Sequence, residues 1–369
     1  MTQGSGIRKI VVLQGGHFSA TKGGAQYQVE VLVDRMVEVG GFDTTYITHH
    51  SDPEFVPKGY RIQHIPTKPG LTGDGVIAAS RKIYTTLKEL QPDAIYQQGL
   101  KSHTGVAALY ARNNNCKFVF HIASDYDVTP VSVLRKLDFN ITSLPHKLIG
   151  DYGLRRADVV VAQTDVQDEM LQTNYGRNAE LIVRNFHPAP EIEVSKDDGV
   201  RVIWVANFKE VKRPELFVQL AEDLKDVDNL RFVMIGRPGD PKVYDGLHRR
   251  IENTENLEYL GELSQSEVNK QISRSHIFAN TSSMEGFPNT FVQAWMRGLP
   301  VVTAGVNSDR LFDSGQIGFC GKDYEEFKKW VLKLVGDEAL RSQMSENSKL
   351  YADQNHSMKN VDELINSFA

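Results

Sequence analysis

Residues 276–305 read HIFANTSSMEGFPNTFVQAWMRGLPVVTAG, and this stretch decides the architecture. An apolar run ends near Thr281, a loop containing Gly286 follows, a helical pattern begins near Asn289 or Thr290, and a second apolar run starts at Pro300. Strand, helix and strand in that order make a βαβ unit, which predicts parallel pairing. The same rhythm runs outward in both directions. Upstream it gives VRVIWVAN (200–207), LRFVMIG (230–236) and LEYLG (257–261). In the first half it gives IRKIVVL (7–13), TTYIT (44–48), RIQHI (61–65), DAIYQ (93–97), KFVFHI (117–122) and DVVVAQ (158–163). Between the first two of these runs, residues 25–38 place Val29, Leu32, Val33 and Met36 on one helical face, and Gly40-Gly41 stops the helix.

The rhythm breaks at 184–200, RNFHPAPEIEVSKDDGV, where two prolines and four acids replace periodicity. The expected organisation is α/β, with two Rossmann-like, doubly wound domains facing a cleft. The first domain covers 1–183, a hinge 184–200 and the second domain 201–352, and a C-terminal segment, 353–369, packs back on the first domain. Helices are expected at about 324–336, 338–351 and 357–368.

Composition bounds the function. The chain has 369 residues, 40% hydrophobic and 24% charged, enough to bury two ordinary cores and unlike a disordered or fibrous chain. Lys plus Arg number 42 against 47 Asp plus Glu, a net charge of −5, which opposes a surface built for nucleic acid. Cys116 and Cys320 form no C-x-x-C pair and read as free thiols in a reducing cytoplasm. The apolar run after Arg8-Lys9 is too short for a signal peptide, and no run of about eighteen uncharged apolar residues occurs to span a bilayer.

In an open parallel sheet, ligands bind beyond the carboxyl ends of the strands, so residues just after each strand are the candidates. They fall at 15–24, 121–127, 207–213, 236–239 and 282–293. The N–H groups of Thr290, Phe291 and Val292, at a helix start, would hold a phosphate, and Glu285 just before them would hold sugar hydroxyls.

Glu285-Gly286-Phe287-Pro288, with Gln293 eight positions after the glutamate and Gly298-Leu299-Pro300-Val301-Val302 beyond, resembles the signature of the family-4 retaining glycosyltransferases of GT-B fold. The likeness extends to Gly23-Gly24 before the first helix, His121 near a strand end, Lys212 at a helix start, Gly236 after a strand, and NLEYLGEL (256–263) before a helix at 265–273. It implies transfer of a sugar from a nucleotide-sugar donor to a glycan, lipid-linked or small-molecule acceptor, with retention and with no metal or other cofactor.

By the same resemblance, Glu285 meets the donor sugar, Lys212 the diphosphate, and His121 lies beside the transferred sugar. Gly24, Gly236, Leu263, Gly286, Phe287, Pro288, Asn289 and Thr290 complete the donor site. Two positions depart from the family pattern: Gln293 stands where a second glutamate would face the ribose, and Asn207 where an arginine is expected, with Lys209 or Arg213 available to supply the charge.

Other readings stay open at this level. Thr290 to Gln293 is also a capping box. Glu285 and Lys212 could be solvated, and His121 simply packed. The two departures could mark a pseudoenzyme that binds a nucleotide-sugar without turning it over. Asp125-Tyr126-Asp127 has the D-x-D spacing of metal-dependent transferases, and its context also reads as a turn. Arg135, Lys136, His146, Lys147, Arg155 and Arg156, among leucines and Ile149, could form a basic amphipathic surface for peripheral contact at the inner face of a membrane, or a solvated helix face.

Overall fold

The computed structural model describes residues 7–368 apart from Lys22, 66–72, 135–143, 191–194 and Asp240. The chain divides into two compact units. The first contains residues up to Asn185 together with the chain from Met358, and the second runs from Phe186 to Ser357.

In the first unit the strands are β1 (Arg8–Leu13), β2 (Phe42–Thr48), β3 (Arg61–His64), β4 (Ala94–Gln98), β5 (Lys117–His121), β6 (Val159–Ala162) and β7 (Leu181–Ile182). Its helices are α1 (Gly24–Val39), α2 (Gly73–Leu90), α3 (Ser102–Asn113), α4 (Val131–Leu134), α5 (Leu144–Leu154) and α6 (Asp165–Tyr175). The sheet order is β3-β2-β1-β4-β5-β6-β7, and the described pairings are parallel. Alternation along the strands builds two buried faces. Val11, Leu13, Ile95, Phe118 and Phe120 form one core with α2, α3 and α6. Residues of opposite parity, Ile10, Val12, Tyr96 and Val119, are buried as well.

In the second unit the strands are β8 (Val200–Val205), β9 (Leu230–Ile235), β10 (Leu257–Tyr259), β11 (Ile277–Asn280), β12 (Val301–Thr303) and β13 (Gly318–Cys320), in the order β10-β9-β8-β11-β12-β13. The helices are α7 (Pro214–Asp223), α8 (Pro241–Glu252), α9 (Gln265–Ser273), α10 (Asn289–Met296), α11 (Tyr324–Gly336) and α12 (Glu338–Asn355). Parity again separates two cores: Val202, Trp204, Phe232, Met234 and Ile277 on one face, Ile203, Val233, Ile235 and Phe278 on the other. Both sheets therefore reverse direction once, between β1 and β4 in the first and between β8 and β11 in the second. At such a reversal the loops part to either side and leave a crevice at the carboxyl edge.

The boundaries differ from those expected. The last helix, α13 (Lys359–Asn366), contacts α1 within the first unit, which takes up the chain from Met358 and not from 353. Arg35 grips Asp362 at 2.7 and 3.1 Å, and Phe368 packs edge-on against Tyr96 with ring centroids 5.8 Å apart. The stretch read as a hinge over 184–200 belongs to the second unit from Phe186 onward. Two of its charges are not spacer charges: Asp197 pairs with Arg274 at 2.7 Å and Arg201 at 3.1 Å, and Lys196 donates to the Ser275 carbonyl at 2.5 Å. The short strands β7 and β13 were not anticipated, because two or three residues are too few to show a period.

One close approach holds α3 in place. A Cβ on Gly153 of α5 would lie 2.4 Å from the Thr104 carbonyl oxygen of α3, which is backbone and cannot swing aside. Gly153→Ala is expected to force α3 and α5 apart and cost about 1–3 kcal/mol of stability, read as a lower midpoint in chemical denaturation at unchanged slope.

Candidate functional site

The second unit's crevice is built by the loops that follow β8 and β11. After Val205 the chain passes Asn207, makes one 3-10 turn at Glu210–Lys212, and enters α7 through Arg213, with Pro214 at the first helical position. Arg213 lies in the left-handed region, at φ 44°, which costs a non-glycine residue about 1 kcal/mol or more. The guanidinium that this conformation aims across the sheet donates to the Thr281 carbonyl at 2.6 Å, to the Ser282 carbonyl at 3.0 Å, and to the Ala304 carbonyl. A single side chain thus ties the start of α7 to the loops after β11 and β12.

Further bonds lock the two loops together. Ser283 N–H donates to the Val211 carbonyl at 2.9 Å, Thr281 Oγ1 donates to the Lys212 carbonyl at 2.7 Å, and Trp204 Nε1 donates to Thr281 Oγ1 at 2.9 Å. The outcome is a direct ion pair between Lys212 Nζ and Glu285 Oε1, both part-buried, with Ser282 Oγ donating to the same carboxylate oxygen at 2.7 Å. Gly236, after β9, completes the rim. At φ 153° its absent Cβ would lie 1.7 Å from the Ala206 carbonyl oxygen, so only glycine lets these two loops touch.

The other sequence-derived candidates fall as follows. Asn207 is half-buried, and its Oδ1 accepts from Arg237 N–H at 3.4 Å. Arg213 commits Nε and Nη2, three of its five N–H donors, to backbone carbonyls. Lys209 is exposed. Leu263 is half-buried against the core, just before Ser264, which caps α9 reciprocally with Glu267. Phe287 is buried against Trp295 and His356, so its ring serves packing. The Gly286 carbonyl accepts from Ser308 Oγ at 2.6 Å.

Helix α10 starts one residue before Thr290, with Pro288 at its cap and Asn289 as its first residue. Phe291 N–H consequently turns back to the Pro288 carbonyl at 3.0 Å, and Val292 lies inside the helical ladder. Of the three expected amides, Thr290 contributes the N–H that the described residues leave outside that ladder. With Pro288 at the cap, the Thr290–Gln293 capping box does not form. Gln293 is buried and donates from Nε2 to Asn269 Oδ1 of α9 at 2.9 Å.

In the first unit, Gly23 caps α1 and Gly24 is its first residue. His121 is fully buried on the face that carries Tyr96, whose hydroxyl lies 2.8 Å from its Nδ1. Burial pushes its imidazole down to about 3. It is a neutral imidazole whose Nε2 is buried without a partner, and it pairs in register with Gln98, which lines the adjoining cavity.

That cavity, of about 470 Å³, opens at the reversal between β1 and β4 and is lined by Gly15, Gln98, Lys101, His103 and Ser124 among others. The loop after β4 was passed over in the sequence, although it follows a strand by the same rule that singled out 207–213. Asp127 does not present a D-x-D. Its carboxylate accepts backbone N–H bonds from Leu100 at 3.0 Å, Ala123 at 2.7 Å and Ser124 at 3.2 Å. Among the described residues no group of three or more His, Cys, Asp or Glu could hold a metal.

The basic surface expected at 134–156 does not form as one face. Lys147 is buried, bonded to Asp151 at 2.7 Å and Tyr175 at 3.0 Å, and Arg155 and Arg156 lie over the rings of Tyr175 and Tyr152. Arg135 and Lys136 lie outside the described residues. No described helix is long and apolar enough to cross a membrane.

Two doubly wound parallel sheets, one of them carrying a lysine–glutamate pair at its reversal, define a glycosyltransferase of GT-B type. The model of Glycosyltransferase Family 4 matches residues 22–184 and that of Glycosyl transferases group 1 matches residues 187–351. The chain belongs to the family-4 glycosyltransferases. It is 22% identical over 310 residues to an alpha-monoglucosyldiacylglycerol synthase of Acholeplasma laidlawii, covering 78% of this chain and 77% of that protein. Among solved structures, HepE of Anabaena in complex with UDP-glucose superposes with a TM-score of 0.75 at 15% identity over 98% of each chain. WaaG, a glycosyltransferase involved in lipopolysaccharide biosynthesis, superposes at 0.73 with 14% identity over 98% of this chain and 99% of its own.

Two outcomes follow from this geometry. Arg213→Ala, which removes the strut and leaves three carbonyls without their donor, is expected to lower the unfolding free energy by about 2–3 kcal/mol in urea denaturation. His103, which burial holds at about 3, shares with His121 a pKa depressed below the ordinary histidine value of 6.5. The unfolded chain binds these protons first, so their contribution is complete above pH 6.5 and is lost as pH falls toward 3. The loss is about 1.4 kcal/mol per pH unit for each group. Melting temperature should therefore drop steeply from pH 6.5 to 4.5, and a flat profile would contradict the assignment.

Proposed function

We propose that the chain is a retaining, metal-independent glycosyltransferase that moves a sugar from a nucleotide-sugar donor to a glycan, lipid-linked or small-molecule acceptor. The observation that carries the reading is the Lys212–Glu285 pair, held by Ser282 and by the Arg213 strut where the second sheet reverses.

As the bond from the anomeric carbon to the diphosphate breaks, negative charge grows on the leaving oxygens and positive charge on the sugar ring. Catalysis needs a cation already in place for the first and hydrogen-bond acceptors for the second. Lys212 exchanges its carboxylate partner for the diphosphate, and the N-terminal end of α10, with the Thr290 N–H, adds dipolar stabilisation. Glu285, still held by Ser282, orients the sugar hydroxyls. The leaving phosphate oxygen takes the acceptor's proton on the face it departs from, so configuration is retained without a second carboxylate of the kind that glycosidases use.

Metal independence is supported by Asp127, whose carboxylate already serves three backbone N–H groups. UDP-glucose is the donor to test first, since HepE is described in complex with it and the Acholeplasma relative is named for glucosyl transfer to a lipid. A cytoplasmic location, with contact at the inner face of a membrane when the acceptor is a lipid, goes with this reading.

Donor turnover, read as UDP release, should fall about 10²–10³-fold in Glu285→Gln and in Lys212→Ala, with the fold retained by circular dichroism. Undiminished turnover in both variants would remove the assignment. Donor binding without turnover in the parent chain, across a panel of acceptors, would make the protein a pseudoenzyme.

A further inference from the structure

The cavity of the first unit carries an unusual expense of buried polarity. Gln98, 4% exposed, has neither its Nε2 nor its Oε1 bonded, His103, 6% exposed, has an unbonded Nε2, and the Nε2 of Gln14 is buried and unbonded too. All three residues line the same space. Native proteins leave few such atoms, because each forfeits its bonds to water without replacement. Several around one cavity at the reversal of a parallel sheet mark a surface made for a polar ligand.

The sign of that ligand follows from the charges. Lys101 lines the space and precedes α3, a helix of 12 residues whose first N–H groups and positive dipole end lie at the wall. Residues 25 and 26 of α1's first turn lie on the wall as well. The carboxylate in the lining, Asp127, is screened by its three backbone donors. Burial keeps His103 neutral, and burial with nearby Lys101 lowers His146, so neither imidazole adds a charge that would repel the lysine. The lining therefore holds one cation, two helix starts and several neutral donors, with no carboxylate free to receive sugar hydroxyls.

We infer that this cavity binds an anionic group, a phosphate or a carboxylate, carried by the acceptor. Gln14, Gln98 and His103 would complete their bonds on that group and on the hydroxyls beside it, and Lys101 would supply the opposite charge. The inference rests on the transferase reading only in calling the occupant an acceptor. The anion is either part of a soluble sugar or the headgroup of a lipid, and both present the same chemistry to the cavity.

The test is titration calorimetry on the full chain. The soluble probes are glucose 6-phosphate, glucuronic acid and glucose, and the lipid probes are vesicles of phosphatidylglycerol in phosphatidylcholine beside phosphatidylcholine alone. At least one anionic probe should bind tenfold or more tighter than its neutral counterpart. Lys101→Ala and Gln98→Leu should each weaken that binding at least fivefold while the affinity for UDP stays unchanged. Gln98→Leu, which deletes an unbonded buried amide, should melt no lower than the parent chain, so that lost binding is not lost folding. Preference for the soluble anions assigns a sugar acceptor, and preference for the charged vesicles assigns a lipid.

Equal binding of charged and neutral probes, or anion binding that neither variant weakens, would overturn the inference. Both readouts are independent of turnover. A chain that binds the anion and transfers no sugar would fault the catalytic reading and leave this one standing.

Discussion

A parallel sheet that reverses its winding direction cannot cover its own carboxyl edge at the point of reversal, and this constraint organises both halves of the molecule. Crossovers leave to opposite sides at β1/β4 and at β8/β11. Backbone N–H groups, helix starts and polar side chains gather at the two gaps without having to be buried under another element. One gap holds the lysine–glutamate pair, and the other holds the cavity with unbonded amides and an imidazole.

The two sites are maintained by different means. At β8/β11 the structure spends strain. Arg213 accepts a left-handed backbone so that its guanidinium can bind three carbonyls from two loops, and Gly236 admits a backbone contact that any side chain would block. The return is a Lys212 and a Glu285 fixed at hydrogen-bonding distance. At β1/β4 the structure spends solvation, burying the Gln98 amide and the His103 Nε2 without a protein partner. Groups in that condition stabilise nothing in the free chain and become favourable when a ligand completes them.

Several charged residues that look alike in sequence divide along these lines. Lys212 faces a carboxylate in an open gap, whereas Lys147 is sealed between Asp151 and Tyr175 and holds α5 to α6. Asp127 and Glu285 are both acids in loops after strands. The first is consumed by backbone donors that shape its turn, and the second keeps an oxygen edge for a ligand.

Strand identity, parallel pairing and the loops worth inspecting were legible because they depend on short-range patterns: β-branched runs of a few residues, helical periodicity between them, and glycine or proline at the joints. That information brought Glu285, Lys212 and Gly236 to the loops beyond the strands of one sheet and set the last three helices within a few residues. Tertiary structure decided the rest, since a side chain's partner depends on which strands become neighbours. The parity of β5 set His121 on the face of Tyr96 and level with Gln98. The seating of Pro288 at the cap of α10 withdrew the Phe291 amide. The proximity of three loop carbonyls converted Arg213 from a free cation into a strut, and the adjacency of β4 to β1 gathered Gln14, Gln98 and His103, distant along the chain, around one cavity.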